Sequence, residues 1–424
     1  MTHPDITAIG PEQESSTNTK AGEHNCDSRL ESLPPEVRRH LLSILHLPQL
    51  KVLVRASPTF HQQYLFDRNY VLCRSLEETL GSVTVDAYAV HLLATQDGDT
   101  KQTIAEFLEP YSENTLRRCL PFIDRLTQDE AISMVAYYFH SIKPISEYYA
   151  ALILDNLAHE LRNGPRGHQK APGLDSETER MRLTRAVYRF QLLCQLVDPD
   201  QRARAIKIPS QEAAAQDLLN VLQPWEVEEL VSIYQFVEDV YNKIFDDVTW
   251  DLHPDNPRYD DQRRPPTPDG AFELHNPKGI TFRGLSVLRT VLFEVEDHQH
   301  LVFTIQQHII SSYIPFKRLD GILGETQQTL QRRSNPSERD RLQAERAPCP
   351  FRGDAEADAP PLAWTIIWGD TYSNLYGYYI PDEMRLWGYI FYDATTFEGA
   401  GLREVLKRQW EKEWDDEDPR DTLL

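Results

Sequence analysis

The chain has 424 residues, 40 % of them hydrophobic, which supplies a core large enough to exclude a minimal fold stapled by disulfides or metal. Its 44 basic against 66 acidic residues give a net charge of −22, the wrong sign for general affinity to nucleic acid or to an anionic membrane. Five scattered cysteines (Cys26, Cys73, Cys119, Cys194, Cys349), without a C-x-x-C pair, exclude a secreted disulfide framework and a zinc module, and point to a reducing compartment.

Residues 1–29 are rich in Ser, Thr, Glu and Gly and contain no apolar run of signal-peptide length, so a disordered lead-in is expected. No later stretch approaches the roughly 20 apolar residues of a membrane span, and there is no Asn-x-Ser/Thr acceptor. The expected location is cytoplasmic or nuclear.

Residues 30–80 parse as three short helices and a longer one. Pro34 suits a first turn, Glu36 sits near its positive end, and Val37, Leu41, Ile44 and Leu45 form an apolar stripe. Pro48 starts a second helix with Leu50, Leu53 and Val54 on one side. Ser57-Pro58 breaks it, and Thr59 is the expected cap of a third helix carrying Phe60 and Tyr64.

A helical body of residues 81–250 follows. Helical windows are predicted over Thr84–Thr95, Asp99–Leu108, Thr127–His140, Ile145–Leu161, Glu177–Val197 and Trp225–Ile244, with Pro110, Pro144, Asn163-Gly164-Pro165 and Pro199 as breakers. Residues 251–278 form a Pro-rich loop. Residues 279–330 return to helical spacing as a hairpin of the same body, and 331–361 read as a second, disordered loop. No fixed-period repeat is present.

Residues 362–424 change character. Leu362–Phe397 holds eleven aromatic residues, with Gly369, Gly377 and Gly388 marking tight turns under the rings and a helix expected near Pro381-Asp382-Glu383. The close, EKEWDDEDPRD, has seven carboxylates against two cations and reads as a solvated tail. Trp364, Trp368, Tyr376 and Trp387 are a candidate partner pocket; the competing reading is a C-terminal core. Trp410 and Trp414, four apart, either pack back on that core or offer an exposed anchor.

Leu33-Pro34-Pro35-Glu36, Ile44-Leu45 and the Ala56-Ser57-Pro58-Thr59-Phe60 stretch resemble an F-box over about 35 residues. The chain is also similar to a group of uncharacterised filamentous-fungal proteins with a degenerate F-box at about 30–66 and a Trp-Gly-rich C-terminal region, here Trp387-Gly388. The resemblance implies docking on a Skp-type adaptor of a cullin ubiquitin ligase through Leu33, Pro34, Val37, Leu41, Ile44, Leu45, Leu50, Leu53 and Val54. Two features depart from the family: the Leu45–Leu50 connection is short, and Pro58 replaces a residue that is normally basic.

Catalytic signatures are missing from the sequence. Neither G-x-x-x-x-G-K-[ST] nor G-x-G-x-x-G nor G-x-S-x-G occurs, and His159-Glu160 is followed by Asn163 where a zinc protease needs its second histidine. Glu294, Glu296, Asp297, His298, His300 and His308 are the most metal-like grouping, read as a solvated helix boundary. Asp246, Asp247 and Asp251 around Trp250 would do acid–base work only if buried together.

The resulting expectation is a mainly α protein: an F-box-like helical bundle, an irregular multi-helix body with long Pro-rich loops, and an aromatic-rich C-terminal element. Its expected role is recruitment of an unknown protein target to the ligase, without enzymatic activity, cofactor, metal, nucleic acid or membrane. The alternative is a helical scaffold in which the F-box-like segment is purely structural. An enzyme of unrecognised type is the weakest alternative.

Overall fold

Proline and serine set the starts of the first helices. Pro35 opens α1 (Pro35–Ser43), Pro48 lies in the first turn of α2 (Leu47–Ala56), and Pro58 opens α3 (Pro58–Phe66), positions where the missing N–H costs nothing. The cap of α3 is Ser57 rather than Thr59: its Oγ accepts the Phe60 N–H at 3.3 Å and donates to Glu31. α4 (Arg68–Leu80) follows directly after Asp67. The computed structural model describes residues 30–95, 102–117, 126–162, 171–197, 206–207, 211–253, 256–257, 278–310, 319, 350–355, 359–368, 377, 379–415 and 417–420. The expected lead-in over 1–29, and most of the two Pro-rich loops, lie outside these residues.

Leu42, Leu47, Leu50, Phe60, Val71 and Leu76 close the core of this N-terminal unit. Hydrogen bonds tie its short helices to α4, Arg68 Nε donating to the Tyr64 hydroxyl at 3.3 Å. The Leu47 N–H donates to Thr79 Oγ1 at 2.7 Å, and Ser75 Oγ donates to the Leu42 carbonyl at 3.3 Å. α4 in turn packs on α5 (Thr84–Thr95) and on the later helix Gln128–Tyr137, so it belongs to the unit and to the body at once.

The chain continues through a two-residue strand β1 (Gln102–Thr103), α6 (Ile104–Arg117), α7 (Gln128–Tyr137), α8 (Lys143–Arg162), α9 (Glu177–Val197), β2 (Ile206–Lys207), α10 (Gln211–Val221) and α11 (Pro224–Leu252). β1 and β2 pair in parallel, the one strand contact among the described residues of a mainly α fold. α5 and α9 match their predicted bounds; two prolines do not act as predicted. Pro110 lies inside α6. Pro144 lies in the first turn of α8, preceded by a π-helical turn over Tyr138–Ile142 that joins α7 to α8, so the widened turn carries the chain past the missing N–H.

After residue 278 come α12 (Lys278–Thr281), α13 (Leu285–Phe293) and α14 (His298–Ile310). The C-terminal element comprises α15 (Leu362–Ile367), α16 (Asp382–Leu386), a 3₁₀ turn Tyr389–Phe391, α17 (Ala394–Gly399) and α18 (Leu402–Trp414). Gly388, at φ +67, makes the sharp bend before the 3₁₀ turn; a Cβ there would stand 2.8 Å from Ile153 Cδ1. The expected free tail is pinned where it is described. Arg420 Nη1 donates to the Ile367 carbonyl at 2.9 Å, and its guanidinium lies 4.6 Å from the Trp410 ring.

α9 runs through the middle, against α5, α8, α10 and α11. It buries Arg182, Arg185 and Arg189 completely. Arg185 makes a bidentate pair with Glu229 (2.7 and 3.0 Å), Arg189 meets Asp86 and Glu226 (both 2.9 Å), and Arg182 meets Asp393 (2.6 Å). Beside them Arg385 of α16 grips Glu228 (2.8 and 3.1 Å) and the Gly377 carbonyl (2.6 Å). Buried charge of this kind survives only when paired, and each guanidinium here has a carboxylate from a distant segment. Burial raises Glu228 and Glu229 above the ordinary carboxylate range despite Arg385 and Arg185; at Glu226 burial acts the same way, but Arg189 and Arg185 outweigh it and the carboxyl stays low.

Candidate partner-binding surface

α1 presents two faces with opposite tasks. Leu42 is fully buried, whereas Val37 within the helix and Ile44 at its C-cap are 44 % and 48 % exposed. The chain leading in is held in place: Arg38 Nη1 takes the Glu31 and Leu33 carbonyls at 2.9 and 2.8 Å. That clamp leaves Pro34 exposed and Leu33 half-buried ahead of the helix.

The nine residues expected to meet an adaptor therefore divide by burial. Pro34, Val37 and Ile44 face outward, while Leu33, Leu41, Leu45, Leu53 and Val54 are half-buried, the last four packed at the edge of the core. Leu50 departs from the expectation. It is a core residue at 4 % exposure, because α2 turns it toward α3 and α4. Val52, two residues on and so on the opposite side of α2, is 69 % exposed and has the accessibility that Leu50 lacks. Sequence reading missed it because the polar neighbours Lys51 and Arg55 hide its phase.

The second candidate, the tryptophan pocket, is not an open surface. Trp364, Trp368 and Trp387 are all buried, and Tyr376 lies outside the described residues. Trp364 and Trp368 pack edge to face at 5.7 Å, and Trp387 Nε1 donates to Gln409 Oε1 at 2.7 Å. These rings are the hydrophobic centre of the C-terminal element. Trp410 joins them, and Trp414 is half-buried with its Nε1 donating to the Tyr379 carbonyl at 3.1 Å.

The acidic groupings also separate. Glu294 is bonded to Arg289 and Thr290, and His298 Nε2 lies 2.8 Å from Asp251 Oδ2. Hydrogen bonds from Arg289 and Thr290 hold the Glu294 carboxyl below its ordinary range. Among the described residues no three His, Cys, Asp or Glu side chains stand together as a metal would require. Asp246, Asp247 and Trp250 are exposed, so the carboxylates around Trp250 share no buried acid–base site. Among the described residues no helix is long and apolar enough to cross a membrane.

No family model, curated protein or solved structure matches the chain.

Proposed function

We propose that the chain is a substrate-recruiting, F-box-like subunit of a cullin ubiquitin ligase that docks a Skp-type adaptor with its N-terminal helices and carries a protein target on its body. The observation that supports this is the outward-facing Val37–Ile44 stripe on a unit whose core Leu42, Leu47 and Phe60 already close. Side chains that stay half-exposed beside a closed core are accessible to a partner. Pro34, Val37, Ile44 and Val52 are the contacting residues, flanked by Leu33, Leu41, Leu45, Leu53 and Val54. Such a subunit works in the cytoplasm or nucleus and needs no cofactor.

Leu41 is a poor site for testing this, because it packs on the core and a charge there would unfold the unit as well as block docking. The informative double variant is Val37→Glu with Ile44→Glu. It should keep the melting temperature within a few degrees and abolish capture of purified adaptor and cullin. Retained capture sinks the proposal. The second reading, a helical scaffold, is favoured by the packing of α4 on both unit and body; it requires that neither the native chain nor the variant captures adaptor.

A further inference from the structure

We draw no further inference here: the strongest candidate, the aromatic face at the C-terminal end of α11, where the 59 % exposed Trp250 stacks on His253 beside the exposed Asp246 and Asp247, carries nothing because nothing in the structure shows what covers it.

Discussion

The N-terminal unit and the centre of the body distribute their side chains in opposite ways. On α1 and α2, aliphatic residues such as Val37, Ile44 and Val52 face solvent; around α9 and α11, four arginines and their carboxylates are sealed inside. Polarity alone therefore does not say which residues of this chain are inside. What decides is whether a partner is at hand: the buried guanidiniums have theirs within the fold, and the exposed apolar groups have theirs, on the proposed reading, in another molecule.

Removing one side of a buried pair should strain that contrast most. Arg185→Ala leaves Glu229 enclosed without its bidentate partner, and should cost about 3–5 kcal/mol in urea unfolding, against near-neutrality if the site were wet. Leu50→Ala comes next, at about 2–4 kcal/mol, because α2 commits that leucine to the core; a negligible loss would mean that Leu50 belongs with the docking residues after all.

A smaller effect is expected at the start of α7, where Thr127 and Glu130 form a capping box. Thr127→Ala should cost about 1 kcal/mol. Hydrogen bonds from the Thr127 backbone and hydroxyl hold the Glu130 carboxyl below its ordinary value, so its contribution is complete above the ordinary carboxylate range and disappears as pH falls through the depressed one. The gap between native and Thr127→Ala melting temperatures should narrow in that acid window and stay constant near neutrality. Least of all, Val52→Ser should move stability by no more than about 0.5 kcal/mol, as calorimetry would report, since that side chain is mostly in water already.

Much of the helical frame was legible because its signals are local. The helical spacing of Thr84–Thr95 and of Glu177–Val197 marks α5 and α9 at their observed bounds. The burial of that same helix was not legible. Arg182, Arg185 and Arg189 share a face and read as a solvated stripe, and the carboxylates that neutralise them come from Asp86, Glu226, Glu229 and Asp393, far away along the chain. Pro144 misled for the converse reason, since a π turn absorbs it without ending the helical path. At the candidate surface the exposed Pro34, Val37 and Ile44 were named from sequence, while Val52 was passed over. Exposure depends on the azimuth at which each helix packs, and one or two turns of sequence do not fix that angle.

α4 spans about 20 Å at 1.5 Å per residue and is held along its length, by the short helices and by α5 and α7. In mechanical terms it is a strut rather than a tether. On the proposed reading, a cargo seated on the body would keep a fixed place relative to the docking face, so that only lysines held within reach of a ubiquitin-charged enzyme could be modified.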